Sequence, residues 1–205
     1  MNKKVVLAAL LSIAIVFGVS AQRPPNPFKV QKKSNVEGDI SPLKGQQKVN
    51  VVIDFDGTLV NGKPEEKYIA DETKRMNATE KAEWLADWNE KLRSDAYAIL
   101  VTKLNDEIKQ FFEVGDYADA EYTINVQVRD ITTGYFAGIV TKASAINAEV
   151  TFLETGTTTP FASIEFKKSS SGESSYIPYY VLRITMSFGE LGEDIGKMVK
   201  KKLKK

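Results

Sequence analysis

The strongest apolar run beyond the N-terminal segment is residues 48–60, which read KVNVVIDFDGTLV. Its valines and isoleucine are β-branched and favour a strand. An apolar run that is this continuous is typical of a strand inside a core. We therefore predict a central strand here, on which or beside which the later elements pack. The Asn-Gly-Lys-Pro sequence at 61–64 predicts the turn that follows it.

Residues 77–111 carry the pattern of a long amphipathic helix. Asn77 and Glu80 have the spacing of a capping box, and Ser94–Asp95 could restart or kink the helix. Trp84 and Trp88 are predicted to be core residues because they share the apolar stripe, and a ligand groove is the alternative. The stripe consists of Trp84, Trp88, Leu92, Ile99, Leu100, Leu104, Ile108 and Phe111.

Three later segments, 122–128, 146–152 and 162–166, alternate apolar and polar residues and predict half-buried strands. They follow one another without a helical pattern between them, so they should be antiparallel neighbours. Residues 132–138 are predicted to form a loop or bulged connection, and 169–175 a flexible loop. The side chains expected to face the core are Val126, Val128, Ile146, Val150, Ile164 and Phe166.

The last segment, Tyr180–Leu203, has an apolar helical face. Gly189, Gly192 and Gly196 lower its helix propensity, and we expect them to permit close contact with the sheet rather than to bind phosphate. The Lys-rich end is predicted to be a solvated tail, with contact to an anionic membrane surface or glycan as the alternative.

These elements predict an α+β fold in two layers, with a mostly antiparallel sheet and a long helix and a C-terminal helix packed on one face. This single domain is expected to span 48–205. Residues 1–21 have the charged start, apolar run and small-residue end of a secretory signal peptide, and a transmembrane anchor is the alternative. Residues 22–47 are polar and proline-rich, which predicts an extended linker. Cleavage near Ala21 would leave the protein periplasmic or secreted.

The amino-acid composition limits the kinds of catalytic and metal sites that the chain can form. The 205 residues contain no His and no Cys, which excludes disulfides, thiol nucleophiles, Ser-His-Asp catalysis and ordinary zinc sites. Any metal would therefore be a hard cation held by oxygen ligands. The formal net charge is +1, so a nucleic-acid partner has no global electrostatic support.

The Asp-x-Asp-Gly-Thr sequence at 54–58 ends an apolar strand and resembles the first motif of the haloacid dehalogenase superfamily of phosphohydrolases. The resemblance implies Asp54 as the nucleophile, Asp56 as the proton shuttle, and both as Mg²⁺ ligands. It also implies a doubly wound parallel sheet, which needs crossover helices that 121–168 does not predict. The later acidic pair of that family has no counterpart at a strand end, because Asp116 and Asp119 follow a predicted helix end at 108–114.

The order of strand, long helix, three strands and helix resembles exported α/β modules of Gram-negative envelopes. These include the N-terminal domain of the TolB translocation protein and the lipoprotein activators of penicillin-binding proteins. A family of uncharacterised envelope proteins is more similar, through Ala120-Glu121-Tyr122, residues 146–155 and the glycine-spaced 191–197. This resemblance covers roughly 49–203 and implies a binding or assembly role, without catalytic residues.

We therefore predict a non-enzymatic exported envelope accessory or binding module that acts through protein or cell-wall contacts. It would have no catalytic residues, no metal and no cofactor. Its partner would be an envelope protein or a cell-wall component and no nucleic acid, with the Lys-rich C-terminus able to add contact with an anionic surface. The alternative hypothesis is a Mg²⁺-dependent phosphohydrolase of the haloacid dehalogenase type, with Asp54 and Asp56 as catalytic residues and metal ligands.

Overall fold

The computed structural model describes residues 36–204. Its strands are β1 (Val36–Gly38), β2 (Lys48–Asp54), β3 (Leu59–Val60), β4 (Lys63–Pro64), β5 (Glu113–Gly115), β6 (Tyr122–Thr132), β7 (Tyr135–Ala137), β8 (Val140–Lys142), β9 (Ala145–Glu154) and β10 (Ala162–Ser169). The α-helices are α1 (Glu65–Thr73), α2 (Ala78–Ala86), α3 (Leu92–Ile108) and α4 (Tyr180–Leu203). Short 3-10 helices occupy Ser41–Leu43 and Gly172–Tyr176.

One main sheet, with the strand order β1–β10–β9–β6–β2–β5, forms the body of the protein. The three successive strands β6, β9 and β10 are antiparallel neighbours, as predicted. β2 runs parallel to both β6 and β5, and the helices α1 to α3 supply the crossover that a parallel pair requires. The predicted α+β fold is confirmed, with the long helix α3 and the C-terminal helix α4 packed on this sheet.

Alternation along the strands decides which side chains enter the core. The six residues predicted to face inward are each at most 5% exposed: Val126, Val128, Ile146, Val150, Ile164 and Phe166. Their polar neighbours Asn125, Gln127 and Glu149 are only partly buried. The helices and the inner face of the sheet therefore share one apolar layer, as expected for a two-layer fold.

The helical region 78–108 contains a π-helical turn, Asp87–Lys91, between α2 and α3. The buried side chains that follow recur at every fourth position: Trp88, Leu92, Ala96, Leu100, Leu104 and Ile108. In a regular α-helix such a stripe turns by about 40° per step, because four residues exceed one turn of 3.6. A wider π turn reduces this drift. The irregularity therefore lies at 87–91 and not at the predicted Ser94–Asp95.

The glycines of α4 lie against α3. An added Cβ at Gly192 would be 2.4 Å from the carbonyl oxygen of Leu100, and one at Gly196 would be 2.6 Å from Cβ of Glu107. The expectation of a close contact is confirmed, but the partner is wrong. The contact is with α3 and not with the sheet, because the two helices lie side by side.

The predicted signal peptide, residues 1–21, lies outside the described residues, as do 22–35 of the predicted linker. Residues 36–47 differ from an extended linker. Val36–Gly38 pairs with β10, and the side chains of Ile40 and Leu43 are buried. Two apolar residues in a polar segment are too few to produce a recognisable hydrophobic period.

Several short elements do not follow from the sequence pattern. The region 108–114 was expected to end a helix, but α3 ends at Ile108 and Glu113–Gly115 forms the edge strand β5. The expected loop or bulged connection at 132–138 contains β7, and a 3-10 helix occupies most of the expected loop at 169–175. Within residues 36–204, no helix combines the length and apolar content needed to cross a bilayer.

Candidate functional site

A tight turn after β2 accounts for the Asp-x-Asp-Gly-Thr sequence. The N–H of Asp56 donates to Oδ1 of Asp54 at 2.8 Å, and the N–H of Thr58 donates to the Phe55 carbonyl at 3.1 Å. Gly57 has a φ of +69°, which a glycine adopts at little cost. Thr58 is buried, and its hydroxyl donates to the Val128 carbonyl at 2.8 Å. The sequence therefore builds an Asx turn and fastens it to β6.

The acidic groups named by the phosphohydrolase hypothesis do not converge on this turn. Asp56 is exposed, and its carbonyl accepts the side-chain N–H of Gln127 at 2.8 Å. β5 pairs with Lys48–Asn50, so Asp116 follows β5 near the start of β2, whereas Asp54 ends that strand. Among the residues from 36 to 204 there is no group of three or more acidic side chains that could hold a metal ion.

We predict that Asp54→Asn changes the free energy of unfolding by less than about 1 kcal/mol, because Asn also offers Oδ1 to the N–H of residue 56. Asp54→Ala removes this acceptor and should cost more, about 1 kcal/mol. Urea unfolding of the three proteins measures the difference. In parallel, the wild type should show no Mg²⁺-dependent hydrolysis of a generic phosphate ester. An activity that disappears in Asp54→Asn would restore the phosphohydrolase hypothesis.

An aromatic cluster, which we call the aromatic shelf, lies where α4 begins and consists of Trp84, Trp88, Tyr179 and Tyr180. The ring of Trp84 stacks on Trp88 at 5.4 Å and on Tyr180 at 5.7 Å between centroids. Trp88 is buried, which confirms its predicted core position, whereas Trp84 and Tyr180 are partly buried. Tyr179 is exposed and meets Tyr180 edge-on at 5.8 Å. The shelf thus continues from the core to the surface.

Polar contacts hold the shelf in place. The indole N–H of Trp88 donates to Oε1 of Glu65 at 2.7 Å, and Arg93 donates to the same oxygen at 2.9 Å. The hydroxyl of Tyr179 donates to Oδ2 of Asp87 at 2.8 Å. Desolvation of the hydroxyl, together with this hydrogen bond, raises the pKa of Tyr179 to about 12. The phenol of Tyr179 therefore donates to Asp87 as a neutral hydroxyl at physiological pH.

A β-hairpin formed by β7 and β8 stands apart from the main sheet. It exposes four large apolar residues that we call the apolar finger: Tyr135 (47% exposed), Phe136 (39%), Ile139 (100%) and Val140 (54%). Gly138, with a φ of +66°, turns the chain at the tip. The sequence of this segment predicts only a loop or bulged connection. Its alternation is too short to predict a strand, and exposure cannot be seen in a string of residues.

The base of the apolar finger is fixed by Thr133. Its N–H donates to Oδ1 of Asn61 at 3.1 Å, and its carbonyl accepts Nε of Arg183 at 2.9 Å. Arg183 is 5% exposed and also donates through Nη1 to the carbonyls of Ile177 at 2.6 Å and Pro178 at 3.1 Å. Burial lowers the pKa of this guanidinium. One buried side chain therefore joins the finger, α4 and the chain before α4.

A second set of contacts closes the same base. Ser144 is fully buried, and its N–H donates to Oγ of Ser174 at 3.1 Å. Its hydroxyl lies 2.5 Å from that of Ser187 on α4. Gly134 has a φ of +64°, and a Cβ there would be 2.3 Å from the Lys142 carbonyl oxygen. The two strands can meet this closely only because residue 134 is a glycine.

Comparisons of the sequence with known proteins find no match. No protein-family model matches the chain. No curated protein matches it either. Among solved structures, the PelC dodecamer from Paraburkholderia phytofirmans is 10% identical with a TM-score of 0.39, over 79% of this chain and 97% of that one. A single-residue variant of the same dodecamer is 12% identical with a TM-score of 0.36, over 78% and 98%. Similarity this low supports no inference about the function or the assembly of this protein.

The start of α4, rather than the turn that contains Asp54 and Asp56, is therefore the candidate functional site. The tryptophans were the one part of this region that the sequence singled out. The serines carried no signal. Arg183 was not singled out, because a single charge on a helix normally indicates a solvated face. The clue that could have been used is Arg183 itself, since it lies among the apolar residues Val181, Ile184 and Phe188.

Proposed function

We propose that this protein is a non-enzymatic accessory or binding module of the cell envelope, which acts through protein or cell-wall contacts made by the aromatic shelf. The observation that carries the proposal is the accessible aromatic edge at the start of α4. There, exposed Tyr179 and half-buried Trp84 flank Tyr180, and Leu182 beside them is 49% exposed.

The chemistry of the shelf suits recognition. Tyr and Trp supply a large, rigid contact area with few rotatable bonds, and they are enriched in the energetic centres of protein interfaces. Here the rings are already ordered by stacking and by the hydrogen bonds to Glu65 and Asp87. A partner would therefore not bear the entropy cost of immobilising them.

The compartment follows from the predicted signal peptide at 1–21, which would bring the folded domain into contact with envelope components. The Mg²⁺-dependent phosphohydrolase has no specific observation in its favour among the described residues. Oδ1 of Asp54 accepts the N–H of Asp56, so the turn after β2 accounts for this carboxylate without a catalytic role.

A photo-crosslinking amino acid at Leu182 in living cells tests the proposal. Position 182 faces solvent beside the aromatic shelf, and Lys109 offers a matched exposed control at the far end of α3. We expect adducts with an envelope protein or with cell-wall material from position 182 and none from position 109. Introducing Tyr179→Ala into the same protein should reduce the yield of adduct from position 182. Equal labelling at 182 and 109, or no adduct at 182, would refute the proposal.

A further inference from the structure

The apolar finger exposes apolar side chains on both of its faces. Tyr135 pairs with Lys142 and Ala137 pairs with Val140, which places Tyr135 and Val140 on one face of the hairpin. Phe136 points to the other face, and Ile139 at the tip is fully exposed. A flat protein surface could cover only one of these faces. Only a surrounding medium or a deep pocket can cover both faces and the tip together.

The charges of the finger favour a lipid surface over a pocket. Residues 131–143 include no acidic side chain, and the only charged residue is Lys142 at the base of the hairpin. Anionic lipid headgroups repel carboxylates and attract lysine near the surface. Aromatic residues are also suited to the boundary between headgroups and hydrocarbon. Tyr135 is at the base, and Tyr176, 71% exposed, belongs to the 3-10 helix that contacts both strands.

The dimensions agree with shallow insertion. Each strand of the hairpin has three residues, so the finger extends about 10 Å at roughly 3.3 Å per residue. Interfacial elements bury their apolar parts about 5–10 Å deep at the boundary between headgroups and acyl chains. The base is held by Arg183 and Asn61, so the finger is ordered before it meets a membrane.

We propose that the apolar finger inserts into the surface of an anionic phospholipid bilayer and holds the domain reversibly at the membrane. This goes beyond the envelope contacts proposed for the aromatic shelf and does not depend on them. The site has Ile139 and Val140 entering the acyl boundary, Tyr135 and Phe136 at the level of the headgroups, and Lys142 facing their phosphates.

Sedimentation with vesicles tests this inference. The exported form, residues 22–205, is mixed with vesicles of phosphatidylethanolamine and phosphatidylglycerol, and separately with phosphatidylcholine alone. We expect binding to the anionic vesicles, and a loss of at least about tenfold in the partition coefficient for Ile139→Asp, since one buried isoleucine accounts for that much affinity. Ile139→Ser should show the same direction without an added charge.

Val52→Asp is the matched control, because Val52 is an exposed apolar residue (42%) on the main sheet and receives the same charge. Its binding should change by less than about twofold. The double variant Lys201→Gln with Lys202→Gln examines the exposed basic end of α4. The inference fails if the wild type does not bind vesicles, if Val52→Asp and Ile139→Asp lose binding equally, or if only the lysine variant does. Crosslinking of position 139 to a protein in cells, without vesicle binding, would assign the finger to a protein partner instead.

Discussion

Gly192→Ala is expected to lower the free energy of unfolding by about 3 kcal/mol, at the upper end of the usual effect of overpacking a core. The added Cβ would be 2.4 Å from the carbonyl oxygen of Leu100 and 3.1 Å from its Cα. Both are backbone atoms of α3, so no side chain can rotate away. The helices would have to separate along a contact that also includes Gly196, and urea unfolding would report the loss.

Gly189→Ala is the control in the same helix. There the new Cβ would be 3.1 Å from Cγ1 of Ile99, a side chain that can adjust. Alanine also favours a helix over glycine by about 1 kcal/mol, which offsets the crowding. We therefore expect a change within about 1 kcal/mol. If the two variants were equally destabilised, backbone proximity would not be what selects glycine at position 192.

Arg183→Met is the second substitution with a large expected effect, a loss of about 3 kcal/mol. The change removes the guanidinium donors to the carbonyls of Thr133, Ile177 and Pro178. The contact with Thr133 is buried, and a buried carbonyl left unpaired costs about 1–3 kcal/mol. Chemical denaturation gives the magnitude. Hydrogen exchange should also show faster opening around Thr133, because the base of the apolar finger loses the hydrogen bond from Arg183 to the Thr133 carbonyl.

Arg129→Met provides the comparison, because Arg129 is exposed and pairs with Glu149 on the surface of the sheet. A surface ion pair contributes only about 0–1 kcal/mol. Stability losses of the same size for Arg129→Met and Arg183→Met would contradict a special role for the buried guanidinium.

Elements with long regular periods could be predicted from the sequence. α4 has the predicted bounds Tyr180–Leu203, and Asn77 with Glu80 forms the predicted capping box. β5 was not predictable, because its three residues are a strand only through parallel pairing with Lys48–Asn50, more than 60 positions earlier in the chain. Such pairing is set by tertiary packing and leaves no local period.

The candidate surfaces were predictable only in part. Trp84 and Trp88 stand out by spacing, but the stacking of both rings on Tyr180 joins residues more than 90 positions apart. The apolar finger depends on contacts between Thr133, Asn61 and Arg183, which are 50 or more residues apart. Conversely, Asp-x-Asp-Gly-Thr suggested a phosphohydrolase, although a turn needs the same residue types for its own geometry: an acceptor, a glycine at positive φ and a buried hydroxyl.

The two short outer strands, β1 and β5, bear on aggregation. Each has three described residues, and within residues 36–204 part of the neighbouring strand, β10 or β2, has no partner on that side. The uncovered part of β10 has a bulge between Phe166 and Ser169, where Lys167 and Lys168 are exposed, and Lys168 has a φ of +58°. The uncovered part of β2 runs into Asp54 and the exposed Asp56. Charges, a bulge and short strands all oppose strand addition from another chain. The sheet is thereby protected against edge-to-edge polymerisation, although its strands are rich in β-branched residues.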